Sequence, residues 1–331
     1  MGRVAIIKPD HLGDLILASP AIRAIALAEQ VVLHVGTSSR ALAQFLFPDI
    51  EIRSLDFPHL AREPALPLNI AGVAKGLAAF DRVVILRDDD IMRSLAAAIG
   101  TNAIVASGMH LTHDTLIHKR ALLGLVPAYS RTNLFGPKPI FWPGGIGRVG
   151  LCIATGFPNN LWPVRHWYDL ALRLHQQGIV FRLLGGPGEH ETLAMLSSML
   201  KPIPHDVLEG SSRFADFLDR IDDLDLIVAG DGGTAHICSL RKPMLSLFGG
   251  SPWRRYAPFG FANLVMTRDL VCSPCLQFST TEVNGCLTRE CMTNIMPKDV
   301  FRVVVSNGLD FSAVRRSRVY RGASHVLAAP S

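Results

Sequence analysis

The residues best suited to chemistry stand just after short apolar runs. In KPDHLGDLILASP (residues 8–20), Gly13 and Asp14 come where the run VAIIK gives way to a helical pattern. A helix N-terminus offers unpaired N–H groups and the positive end of a dipole to a phosphate or sugar, and Gly13 permits close backbone approach. Asp14 reads either as a helix-start acid or as the floor of an active site. In AGDGGTAHICSLRKPMLSLFG (229–249), Asp231, Gly232, Gly233 and Thr234 separate a strand from a helix carrying His236. A glycine pair and a hydroxyl there are what a pyrophosphate needs; the alternative is a tight turn capped by Asp231 or Thr234. Thr155, in ATGFPNNLWPVRHWYDLALRL (154–174), is a possible phosphate donor, whereas Trp162 and Trp167 suit the packing of a helix on a sheet. In LLGGPGEHETLAML (183–196), Glu189 follows a glycine turn and is either an acceptor for a ribose or base or a dipole-favoured first-turn acid.

Cysteines form a separate group. Cys272, Cys275, Cys286 and Cys291 are spaced C-x2-C, ten residues, C, four residues, C, which leaves two readings open: a structural, non-catalytic zinc or iron site, or an unmetallated loop. Cys152 and Cys238 lie singly in apolar surroundings and read as small core residues.

These residues need a scaffold that brings loops together. Apolar runs at 4–8, 31–36, 82–87 and 103–108, then at 150–155, 180–186, 224–230 and 243–249, alternate with helical patterns, the signature of parallel sheets made of βαβ units. The series occurs twice, around the Pro- and Gly-rich stretch FGPKPIFWPGGIGRVG (135–150). The expected fold is therefore α/β, two facing Rossmann-like domains over an interdomain cleft, with the boundary near Pro143 (1–143 and 144–331). Ligands should lie outside the carboxyl ends of the strands. Gly145, Gly147 and Gly150 spell G-x-G-x-x-G, but they precede a strand where the dinucleotide fingerprint must follow one, so a nicotinamide-dependent enzyme is disfavoured. Pro20 predicts a kink or a late start in the first helix.

A chain of 331 residues, 49% hydrophobic and 18% charged, suits two folded domains. No apolar stretch reaches membrane-spanning length and the N-terminus reads as a strand, so the expected location is the cytoplasm. The net charge of +5 is concentrated in WRRY (253–256) and in a tail with Arg315, Arg316, Arg318 and Arg321, patches suited to an anionic membrane surface or a phosphorylated acceptor. No nucleic-acid motif accompanies them.

KPDHLGD, LWPVRHW, DGGTAH with KPMLSLFGG, and the tail from CSPC to CMTNIMPKDV together resemble glycosyltransferase family 9, the ADP-heptose lipopolysaccharide heptosyltransferases and their relatives. The resemblance implies the GT-B architecture, an inverting mechanism, no catalytic cofactor or metal, a nucleotide-sugar donor and a glycolipid or glycan acceptor. It also implies peripheral contact with the cytoplasmic face of the inner membrane and a C-terminal segment that packs back on the first domain. Position by position, it places the catalytic base on Asp14 and the nucleotide-sugar site on Gly13, Thr155, Asn160, Glu189, Asp231, Gly232, Gly233, Thr234 and His236. Two positions depart from the family: Asn160 stands where a diphosphate-contacting Lys is usual, and Gly232 where a Thr is. Lys242, Arg254 and Arg255 are candidates to supply the missing positive charge. The alternatives are a glycosyltransferase for protein (autotransporter) or other polysaccharide acceptors, and a nucleotide-binding protein with decayed catalysis.

Overall fold

A computed structural model describes residues 2–57, 69–108, 114, 115, 117, 118, 144–153, 155, 158–186, 188–210, 213–259, 263–268, 270–275, 286, 288–306 and, by backbone alone, 318–321. The chain divides into two compact units, Met1–Pro137 and Lys138–Ser331.

The first unit holds a five-stranded parallel sheet: β1 (Arg3–Lys8), β2 (Gln30–Val35), β3 (Glu51–Ser54), β4 (Arg82–Ile85) and β5 (Ala103–Val105), in the order β3-β2-β1-β4-β5. Val4, Ala5, Ile6 and Ile7 are all buried, as expected of a central strand covered on both faces. One face packs Ala5, Ile7, Val32, Val83 and Ile85 against Leu77, Met92 and Leu95 of the helices Ile70–Leu77 and Asp90–Ile99. Helix Leu12–Ala26 follows β1 directly and contains the buried Pro20. It starts at its first turn, not late as Pro20 had suggested, and the bond that Ile16's carbonyl would accept from an N–H at position 20 is absent because proline has none. The strand β3 is barely apolar and gave no run in the sequence.

The second unit is a seven-stranded sheet: β6 (Arg148–Cys152), β7 (Val180–Gly185), β8 (Asp206–Glu209), β9 (Leu226–Gly230), β10 (Met244–Phe248), β11 (Asn263–Thr267) and β12 (Arg318–Arg321). The order is β12-β11-β10-β9-β6-β7-β8. All pairings are parallel except β11 with β12, so the last described segment closes this sheet as an antiparallel edge. Arg318 and Arg321 belong to that edge; Arg315 and Arg316 lie outside the described residues. Its core joins Leu151, Leu183, Val228 and Leu247 to Trp162, Trp167 and Leu170 and to Val300, Val303 and Val304 of helix Pro297–Val305. Trp162 and Trp167 meet edge to face at 4.7 Å, and the Trp162 indole N–H donates to the Ile295 carbonyl at 2.9 Å, so both tryptophans pack the scaffold.

Gly150 settles the out-of-place fingerprint. It lies inside β6, where a Cβ would stand 2.5 Å from Ile227 Cδ1 and 2.8 Å from Leu184 Cδ1. Gly150→Ala should therefore destabilise the protein by about 1–3 kcal/mol through overpacking, read by urea unfolding, without a selective loss of nucleotide affinity. Among the described residues no helix is long and apolar enough to cross a membrane.

Candidate active site

In the first sheet the chain leaves β1 for β2 on one side and returns to β4 on the other. The loops after β1 and β4 therefore diverge and leave a crevice at the carboxyl edge. Charged side chains fill it. Lys8, at the end of β1, lies 2.9 Å from Asp10 Oδ2 and donates to the Leu86 carbonyl at 2.8 Å, and Arg87, just past β4, pairs with Asp10 and Asp89. Asp89 also caps the helix Asp90–Ile99 by accepting from the Met92 N–H at 2.8 Å. The backbone is pinned from two sides: Ser39 Oγ donates to the Asp10 carbonyl at 2.9 Å, and Thr115 Oγ1 to the Leu17 carbonyl at 3.0 Å.

Asp14 is the third residue of helix Leu12–Ala26, half-buried, with Gly13 buried beside it. The residue before the helix is His11 and no side chain caps this terminus, so Asp14 does not serve as an N-cap. Burial, together with the carboxylates of Asp10 and Asp114, pushes the Asp14 carboxyl up to about 6 against the opposing pull of Lys8. Asp10 is the more deeply buried of the two, but Lys8 and Arg87 outweigh burial and hold its carboxyl well below the usual carboxylate range. Two acids four residues apart are thus driven in opposite directions. Such a split separates a structural carboxylate from a proton acceptor. His118, buried near Lys8 and Asp114, is pushed down to about 4 mainly by burial and stays neutral.

Lys8, Asp10, Arg87, Asp114 and His118 were not singled out from the sequence. The available signal was RDDD (87–90) directly after a strand, together with two further charges inside KPDHLGD. Within 112–131 the described residues are Asp114, Thr115, Ile117 and His118, all buried.

In the second sheet the corresponding parting lies between β6 and β9. Two groups of predicted residues meet on either side of it. Glu189, at the start of helix His190–Met199, accepts from the Gly186 N–H at 2.8 Å, and a Cβ on Gly186 would lie 2.9 Å from Glu189 Oε2 and 3.1 Å from Thr234 Oγ1. Burial, aided by Glu209, raises the Glu189 carboxyl. Across the parting, Asn160 donates to Asp231 Oδ2 at 3.0 Å. Gly232 precedes the helix Gly233–Ser239, which presents Thr234 in its first turn and buries His236. Thr155 lies half-buried after β6.

Of the expected compensating cations, Lys242 is misplaced. It precedes β10 and donates to the Asp222 carbonyl, which puts it at the amino edge of the sheet, opposite the candidate loops. Arg254 and Arg255 do lie past the carboxyl end of β10, each stacked 5.0 Å over an aromatic ring, Trp253 and Tyr256 respectively.

Cys152 and Cys238 are buried, and their thiols interact, which raises that of Cys238 well above the usual range. The other four cysteines are electrostatic neighbours: burial first, then Cys275, Cys286 and Cys272, push the Cys291 thiol up to about 11. Among the described residues, however, no three His, Cys, Asp or Glu side chains are set to hold a metal ion, so the structure itself supplies no observation for the zinc or iron expected there.

The family model of glycosyltransferase family 9 (heptosyltransferase) matches residues 143–285, the segment that carries the β6, β7, β9 and β10 loops. No curated protein sequence matches the chain. The fold is that of E. coli ADP-heptose lipopolysaccharide heptosyltransferase II, at 15% identity and a TM-score of 0.64 over 93% of this chain and 98% of that one. It is also similar to E. coli heptosyltransferase WaaC with ADP (16% identity, TM-score 0.58, 80% and 92% covered). A third similar structure is the iron-containing dodecameric glycosyltransferase TibC of enterotoxigenic E. coli (12% identity, TM-score 0.55, 92% and 75% covered). These likenesses establish the GT-B fold of two α/β units.

Proposed function

We propose, from the premise that this chain is a glycosyltransferase whose residues 143–285 carry the family 9 signature, that it is an inverting enzyme using Asp14 as general base. The donor is a nucleotide-sugar, with ADP-heptose favoured by the family and by the heptosyltransferases of like fold. The acceptor is a lipopolysaccharide core or related glycan. The observation that carries the reading is Asp14: a half-buried carboxyl raised to about 6, not engaged as a cap, at the diverging loops of the first sheet.

In the proposed reaction an acceptor hydroxyl attacks the anomeric carbon from the face opposite the nucleotide. Asp14 takes its proton as the C–O bond forms and the bond to the diphosphate breaks. A carboxylate with a pKa near 6 is a better acceptor than an ordinary one, though still far below an alcohol, so proton transfer belongs to the transition state, when the hydroxyl acidifies. The electron pair leaves with the nucleoside diphosphate, whose charge the N–H groups at the start of helix Gly233–Ser239 and the Thr234 hydroxyl help to stabilise. Glu189, held by the Gly186 N–H, is placed to accept from the ribose. We assign the work to the cytoplasmic face of the inner membrane, where such acceptors are assembled.

The donor assignment is tested by thermal shift with ADP, UDP and GDP. ADP at about one hundred times its dissociation constant should stabilise the protein by about 2.7 kcal/mol, with UDP and GDP doing much less. Selectivity for UDP or GDP would remove ADP-heptose and leave the glycosyltransferase reading. Binding of a nucleotide-sugar without its turnover would favour the decayed alternative.

The four cysteines of residues 272–291 enter as a structural zinc or iron site, a reading supported by their spacing and by the iron-containing glycosyltransferase of similar fold. About one equivalent of metal retained through gel filtration supports this, and a content well below one equivalent ends it.

A further inference from the structure

Asn160 is one of the two positions at which the chain departs from the family pattern, and its surroundings give the departure a meaning. The residue is fully buried in the turn Pro158–Asn160, just upstream of the anchored Trp162. Its amide nitrogen donates to Asp231 Oδ2 at 3.0 Å and to Ser251 Oγ at 2.7 Å, which uses both of its protons. Its amide oxygen accepts from the Ser251 N–H at 3.2 Å. The partners come from three different loops: Asn160 follows β6, Asp231 follows β9 and Ser251 follows β10, three adjacent strands of the sheet. Gly250 allows the approach, since a Cβ there would stand 3.2 Å from Asn160 Oδ1 and 3.2 Å from Cys275 Sγ.

We propose that Asn160 is a positioning residue, a buried amide clip that joins the β6, β9 and β10 loops and orients the Asp231 carboxylate, and does not itself contact the diphosphate. An amide suits this task because it donates to a carboxylate and accepts from a backbone N–H at once, whereas a lysine only donates. With both protons committed and no exposed surface, Asn160 has no donor left to offer a diphosphate. The diphosphate charge at this point then falls to the backbone N–H groups after β9, and the loop that presents them is the loop the clip holds. The inference rests on the nucleotide-binding reading only for its consequence; the clip is a statement about the ligand-free protein.

The test uses the full chain with Asn160→Lys, Asn160→Ala and Ser251→Ala, in two measurements. In the ligand-free protein, hydrogen exchange of the Ser251 amide, which donates to Asn160, and of the His236 amide, which donates to the Gly232 carbonyl, should quicken in Asn160→Ala and Ser251→Ala, on the order of tenfold, the equivalent of one lost buried hydrogen bond. Exchange unchanged in both would overturn the clip, whatever the protein binds. By calorimetry with ADP, Asn160→Ala should bind about tenfold more weakly, and Asn160→Lys should also bind more weakly than the wild type. If position 160 were instead a diphosphate contact that has lost its cation, Asn160→Lys would bind ADP more tightly, and that result would overturn the proposal. Ser251→Ala keeps the test open if the Asn160 variants fail to fold. Failure of the wild type to bind ADP, UDP or GDP would bear on the enzyme reading alone, and the exchange measurement would still decide the clip.

Discussion

Asp14→Asn should lower sugar transfer by about two to four orders of magnitude while leaving the fold intact, the range expected when a positioned general base is lost. The wild-type pH profile should show the same group. Only deprotonated Asp14 accepts a proton, so kcat/KM should fall as pH drops below about 6 and level off above it. Stability should change in the opposite sense. In the unfolded chain Asp14 titrates near the ordinary value of about 3.9, so between roughly pH 4 and 6 the folded state holds the extra proton, and raising the pH through this window removes stability. Asparagine does not titrate. The variant should therefore gain on the wild type across that window, by on the order of 1–2 kcal/mol once partial exposure is discounted, and hold the gain at neutral pH. Urea midpoints at pH 4 and pH 7.5 measure it. A folded Asp14→Asn protein that transfers sugar at the wild-type rate would remove Asp14 from the mechanism.

Asp10→Ala should cost about 3–5 kcal/mol, because it removes the buried anion shared by two cations and strands Lys8, 3% exposed in its side chain, while Arg87 keeps Asp89. Here the sign of the pH dependence is reversed. The folded-state value of Asp10 is depressed, so its contribution is present above the unfolded value near 3.9 and is lost as pH falls through the folded value. The wild type should thus lose stability at acid pH more steeply than Asp10→Ala does. A milder Asp10→Asn change has a further consequence at Asp14. After burial, the Asp10 carboxylate is the largest influence raising Asp14, and its removal also frees Lys8 to pull Asp14 down. The acid limb of the kcat/KM profile should shift to lower pH by about one unit in this variant. An unmoved limb, with stability lost as expected, would show that Asp10 braces the crevice without tuning the base.

Sequence alone determined the α/β class, most of the parallel strands and the strand-to-helix turns at which the candidate residues stand. The reason is local: central parallel strands are buried on both faces and read as continuous apolar runs, and glycine, hydroxyl and acid residues at the strand-to-helix turns follow from backbone geometry alone. The edge strands β3, β8 and β12 did not show themselves, because β3 and β8 carry polar side chains and β12 takes its place only by pairing with β11, whereas the edge strand β5 did, in the apolar run 103–108. Only the tertiary structure decided the charge states and the partners. Asp10 and Asp14 look alike in KPDHLGD, yet Arg87, 77 residues from Asp10 along the chain, and the buried Asp114 send them in opposite directions. Asn160 likewise reads as a missing lysine until Asp231 and Ser251, 71 and 91 residues away, are seen to take up its amide. Electrostatics and hydrogen bonding depend on distance in space, and chain separation carries almost none of that information.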